Sequence, residues 1–299
     1  MTNEQLLDMP AIPESPAASG VEKRAARTKQ GKILRYSIDI ISVAVVVGTV
    51  AVQFIAYYYA WAWYTLPVIL LGVRALHLIE HNHTHLRIFR QNFLNEILGY
   101  LFFISNGVAV DGYYIYHVQN HHRNAQKWGG KDSDWSSTFG FHGCSYPDKP
   151  MNRIYYSLTY GPIAIMQCLI EFMRMPGTPI FWSFVRSTIV FFAVSGVMIA
   201  LDPWNWFLFF GIPILLVWLS LGNNNYDHHI GCDMEEPIKA ARVNLRFPYK
   251  LFGFNIGYHV EHHMKPTLHW SLLPKFHEAH KPEIPEKNYV LPRFRIVKR

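Results

Sequence analysis

An all-α integral membrane protein, with four transmembrane helices in two hairpins and a helical cap on the cytosolic side, is the fold that this sequence predicts. Two observations carry it. Half of the 299 residues are apolar and only 16% are charged, well below the roughly 25% of a soluble globular chain. Apolar runs of about 20 residues, long enough to cross the hydrocarbon core as helices, recur with the basic residues gathered to one side of them. The 9 Trp and the 15% aromatic share agree, because Trp and Tyr collect at bilayer interfaces.

Residues 1–33 read as a disordered, basic N-terminal segment. The first 22 or so are rich in Pro, Ala, Ser and Glu without an apolar period, and Lys23, Arg24, Arg27, Lys29, Lys32 and Arg35 precede the first span. A membrane domain follows over 34–280, with spans at about 36–58, 62–80, 181–201 and 205–222, and 281–299 form a C-terminal tail. The first span carries no charge after Asp39. The second follows an aromatic link at Trp61 and Trp63 and holds Arg74 near its end, while Asp202, Pro203 and Trp204 join the last two. Weaker apolar stretches at about 94–110 and 154–172 are expected to lie in the interface or to cap a site.

Neither hairpin link contains Lys or Arg. By the positive-inside rule the tips point outward, and both termini and the long middle segment stay in the cytosol, at a plasma (inner) or endoplasmic reticulum membrane. The net charge of +7 fits anionic lipid headgroups, and nothing resembles a nucleic-acid-binding module. Cys144, Cys168 and Cys232 are odd in number and scattered, as in a reducing compartment.

The sixteen histidines avoid the apolar centres of the spans and crowd on the predicted cytosolic side. Twelve of them form the clusters His77, His81, His83 and His85; His117, His121 and His122; His228 and His229; and His259, His262 and His263. On a helix continuing the second span, His77, His81 and His85 share a face while His83 points elsewhere. The same four-residue step relates His117 to His121 and His259 to His263. Neutral imidazole binds Fe, Zn and Cu, and one zinc uses only about four ligands, so the clusters imply two metals or several sites. Asp132 and Asp134 read as parts of a solvated loop, and His142, His269, His277 and His280 as isolated, surface or lipid-facing residues.

The segments His81-Asn-His-Thr-His85, His117-Val-Gln-Asn-His121-His122 and His259-Val-Glu-His262-His263 resemble the three histidine boxes of the membrane fatty-acid desaturase superfamily, HxxxH, HxxxHH and HxxHH. They stand in that family's order. Asn225-Tyr-Asp-His-His229-Ile-Gly is similar to the NYxEHYG segment of the related alkane hydroxylases. The resemblance implies two iron ions bound by His81, His85, His117, His121, His122, His229, His259, His262 and His263, with O2 as co-substrate. His228 can take the place of His229, His77 allows an alternative His77/His81 pair, and Asn225 and Asn255 resemble asparagines close to the metals.

The implied activity is O2-dependent oxidation of a fatty acyl chain, desaturation first. Hydroxylation, or decarboxylation of a lipid, alkyl or carotenoid substrate, needs the same iron pair. No dinucleotide-binding glycine motif or fused redox domain is visible, so electrons are expected from a separate ferredoxin, rubredoxin or cytochrome-type donor. A competing reading takes His77-Leu-Ile-Glu80-His81 as the HxxEH pattern of a zinc hydrolase, leaving the later histidine doublets unexplained.

Overall fold

The computed structural model describes residues 31–60, 63–124, 127, 132–139, 151–232, 236–246 and 253–290. Among these, helices dominate and strand pairing is limited to isolated bridges. The basic residues before Gly31, Trp61, His142, Cys144 and the last nine residues lie outside the described residues.

The long helices are α1 (Ile40–Tyr59), α2 (Leu66–His85), α3 (Asn92–Asn106), α4 (Val110–His122), α5 (Arg153–Arg174), α6 (Pro179–Leu201) and α7 (Pro203–His229), followed by the short α8 (His259–Met264) and α9 (Leu273–His280). Among the described residues, α1, α6 and α7 are long and apolar enough to cross a membrane, and α3 with α4 reaches that standard as a pair bent by 92°. Their outer faces leave Ile40, Val47, Ile189, Phe192 and Leu215 exposed, the arrangement of helices solvated by lipid.

The second expected span falls on α2, which is not one of these three. Arg74, His77, Glu80, His81, His83 and His85 occupy its later turns, and most of those turns are buried in protein. Arg74 crosses to α7, donating to Ser220 Oγ and Asn224 Oδ1, both at 3.1 Å. The stretches expected to lie flat or cap the site become α3 with the start of α4, and α5.

Polar pairs knit the far end of the bundle. Tyr57 at the end of α1 donates its hydroxyl to Met198 O of α6 at 2.7 Å, and Asn205 at the start of α7 donates to Tyr57 O at 3.2 Å. The two tips therefore meet at one end, and the histidines of α2, α4 and α7 lie toward the other. Gln53, fully buried in α1, donates to Phe209 O at 2.9 Å. That carbonyl belongs to a π-helical turn, Phe207–Gly211, whose wider ring alters the usual helical pairing.

Two glycines have a steric reason. Gly107 caps α3 with φ +71°, and a Cβ there would meet Ile214 Cγ2 at 2.6 Å. Gly257, just before α8, lies so close to the neighbouring backbone that a Cβ would stand 2.2 Å from Asn244 O.

Candidate metal centre

Four elements deliver the histidines. The last turns of α2 carry His81 and His85, and the final residue of α7 is His229. The six-residue α8 carries His259, His262 and His263. In α4 the second cluster lies in a nine-residue π-helical stretch, Tyr114–His122. The wider π turn brings both His121 and His122 beside His117, with ring centroids 5.3 and 4.7 Å from it.

The side chains converge in two groups, His81, His85, His117 and His262, and His121, His229, His259 and His263. Within each group the ligating atoms lie within 4.8 Å of one another, and all eight residues are buried. His122 adjoins the first group, its Nε2 lying 3.0 Å from His262 Nε2 and 3.2 Å from His117 Nε2. Its ring also stacks on His263 at 4.3 Å.

The donor set fits transition metals. His85 Nε2, His121 Nε2, His259 Nδ1 and His263 Nε2 are buried with no hydrogen-bond partner among the described residues. Leaving such groups unpaired costs about 1–3 kcal/mol each, a cost that coordination relieves. Burial, reinforced by neighbouring histidines, holds His259, His262 and His263 well below the usual imidazole range, which keeps them in the neutral, ligating form.

Outer contacts orient the rings. His121 Nδ1 lies 2.9 Å from Asp134 Oδ2 and 2.8 Å from Ser136 Oγ. Ser136 Oγ donates to Asp134 Oδ1 at 2.6 Å. His229 Nδ1 lies 2.8 Å from Ala240 O, so the opposite nitrogen of each ring is left for a metal. Contrary to the sequence expectation of a solvated loop, Asp134 is fully buried, although Asp132 is exposed. The loop folds inward because Tyr156 OH donates to Ser136 O at 2.6 Å and Asn225 Nδ2 to the same oxygen at 3.1 Å.

The remaining candidates separate. His77 is outside both groups, with Nδ1 3.2 Å from Glu80 Oε2, and Asn106 donates to that same oxygen at 2.7 Å. The HxxEH motif thus does not place its two histidines in one group. His228 lies beside His259, ring centroids 4.2 Å apart, whereas His229 belongs to the second group. Asn225 bonds to the 132–139 loop and to Tyr156 OH, and Asn255 donates to Trp270 O at 3.0 Å. His83 faces Phe102 across the helix.

The tail histidines correct the expectation of surface or lipid-facing residues, since His269, His277 and His280 are all buried. His269 Nε2 lies 3.1 Å from both Asp39 oxygens, and His277 Nδ1 lies 2.5 Å from Glu261 Oε1, inside the third box. His280 stacks on Phe276. For His269 and His277 the sequence signal missed is a carboxylate for the imidazole to bond, Asp39 and Glu261.

An apolar cavity of about 440 Å³ opens between α3, α4, α5, α6 and α7, lined by Phe103, Ala164, Cys168, Phe191 and Trp218 among others. Tyr113, Tyr160 and Leu221 are shared with a smaller pocket that reaches His81, His117 and His259. Tyr113 lies parallel to His117, centroids 5.0 Å apart. The apolar cavity thus borders the pocket that reaches the histidines.

Residues 59–295 match the sequence profile of the fatty acid desaturase family. The chain belongs to that family. Among known proteins, it is similar to an sn-1 acyl-lipid omega-3 desaturase (ferredoxin) of Nostoc sp. (strain 36), with 26% identity over 77% of this chain and 71% of the relative. No solved structure matches. Membership supports an oxidoreductase of lipid desaturation, and the buried histidine groups are suited to metal.

Proposed function

We propose that the chain is an integral membrane, O2-dependent di-iron enzyme that introduces a C=C bond into a fatty acyl chain carried on a lipid. The observation that carries this reading is the pair of four-imidazole groups set beside an apolar cavity. His81, His85, His117, His122 and His262 would hold one iron, and His121, His229, His259 and His263 the other. Two irons there would supply the O2-derived oxidant needed to take hydrogen from an unactivated methylene, which no side chain provides.

The protein's own work is binding and orientation. The Asp134 carboxylate and the Ala240 carbonyl fix His121 and His229, and the cavity wall keeps water from the acyl chain while Tyr113 lies at the border with His117. Each turnover removes two hydrogens from the chain, draws two electrons from a separate donor and two protons from solvent, and reduces O2 to two waters. The relative's name includes ferredoxin, which favours that class over rubredoxin or cytochrome.

In this reading four spans form two hairpins in a plasma (inner) or endoplasmic reticulum membrane. The proposed domain covers 34–280, and the histidine cap and both termini face the cytosol. The meeting of the two tips through Tyr57, Met198 and Asn205 supports it.

Detergent-purified, anaerobically handled protein is expected to hold close to two irons per chain, and supplied with O2, donor and lipid to give products lighter by two hydrogens. A product that gains oxygen would shift the reading to hydroxylation, for which the NYxxH segment speaks, and one that loses a carbon to decarboxylation. One zinc and no iron would overturn it. His121→Ala and His262→Ala should each lose iron and activity while staying in the membrane.

A further inference from the structure

A second, polar cavity of about 230 Å³ lies between the end of α2, α3, the start of α4 and the first turns of α6. It contributes no residue to either histidine group. At its mouth Arg186 Nε and Tyr100 OH both donate to Glu96 Oε1, at 2.8 and 2.9 Å. The part-buried Arg87, Asp111 and Ser183 line the same cavity. The Arg87 guanidinium, with five N–H donors, makes no hydrogen bond among the described residues.

Position and charge narrow the ligand. The helices α3, α4 and α6 wall this cavity and the apolar one alike, Tyr100, Asp111 and Ser183 facing the first and Phe103, Gly112 and Phe184 the second. The two cavities are therefore neighbours along these helices, with no lining residue in common. Two guanidiniums and two carboxylates line the polar cavity, so it carries no net charge. An anion would be drawn to Arg87 but repelled by Asp111 and Glu96, whereas a dipolar head meets a partner at both ends. Guanidinium also suits phosphate oxygens in paired hydrogen bonds.

We propose that this cavity binds the zwitterionic headgroup of a phospholipid, phosphate on Arg87 and ammonium toward Asp111 and Glu96, so that its acyl chain enters the adjoining apolar cavity. The inference rests on the reading that the substrate chain is carried on an intact lipid, and names the lipid class.

The test is binding to the full-length, iron-loaded protein in detergent, with no turnover required. Dihexanoylphosphatidylethanolamine should raise the melting temperature and bind at least tenfold more tightly than dihexanoylphosphatidylglycerol or octyl glucoside. Arg87→Gln should weaken that binding tenfold or more at unchanged iron content, and in turnover raise KM for the lipid while leaving kcat nearly unaltered. Should Arg87→Gln fail to accumulate, Asp111→Asn and Glu96→Gln serve instead, and each should shift preference toward the anionic lipid. Equal or tighter binding of phosphatidylglycerol or the glucoside by the unaltered protein, or unchanged binding by all three variants, would overturn the proposal. Because binding is read apart from catalysis, a protein that binds the zwitterion but forms no double bond would fail the functional reading and not this one.

Discussion

Asp134 shows how much one carboxylate contributes to this site. It is fully buried, meets His121 Nδ1 and is itself held by Ser136. Outer partners of metal-bound histidines typically contribute about 10–100-fold in metal affinity or activity. Asp134→Asn should therefore lower iron affinity by that order, and Ser136→Ala by less, with iron per chain measured after dialysis against a weak chelator. Protonation acts on the same rings. His259, His262 and His263 are held below the usual imidazole range by burial, so the folded state resists protons that the unfolded chain accepts near pH 6.5. Their contribution to stability is complete above that pH and declines as pH falls through the window below it. Thermal stability and iron retention should both drop between about pH 6.5 and 5, and flat behaviour there would contradict this account of the rings.

At the scale of elements, short irregular pieces set the geometry. The π-helical stretch Tyr114–His122 turns His121 to one group while His122 adjoins the other. A regular α-helix would separate the two by about 100° and place His121 over His117. The third box depends on Gly257, where backbone meets backbone. Gly257→Ala must push α8 away from Asn244, and should cost about 1–3 kcal/mol of stability together with measurable loss of iron. Thermal unfolding monitored beside metal analysis checks both. Glu261 and His277 tie the same helix to α9, so His277→Ala is expected to loosen it more mildly.

For the molecule as a whole, the apolar cavity and the separation of the tips from the histidines carry the predictions. Ala164 lines the cavity and is nearly fully buried. Ala164→Phe should fill it and lower desaturation more than tenfold while iron per chain is unchanged, which distinguishes a blocked substrate path from a damaged metal centre. Cysteines introduced at Trp204, exposed at the hairpin tip, and at Lys275 on the histidine side should react with a membrane-impermeant maleimide from opposite faces of sealed vesicles. Labelling of both from one face would refute the proposed topology.

The boxes and the apolar runs were legible in the residues because ligand spacing and hydropathy are local properties of the chain. Helical periodicity alone brought His81 and His85 to one face and set His83 apart. The resemblance to the desaturase family rests on the same short segments. What the chain by itself left open was which residues meet across it. The choice of His229 over His228, the separation of His77 from His81, the burial of Asp134 and of the tail histidines, and the polar cavity at Arg87 all depend on contacts between residues far apart in sequence, such as Asp39 with His269 and His122 with His262. Only tertiary structure decides these, since an unpaired imidazole or carboxylate buried in a protein takes its partner from whatever segment the fold brings within hydrogen-bond reach.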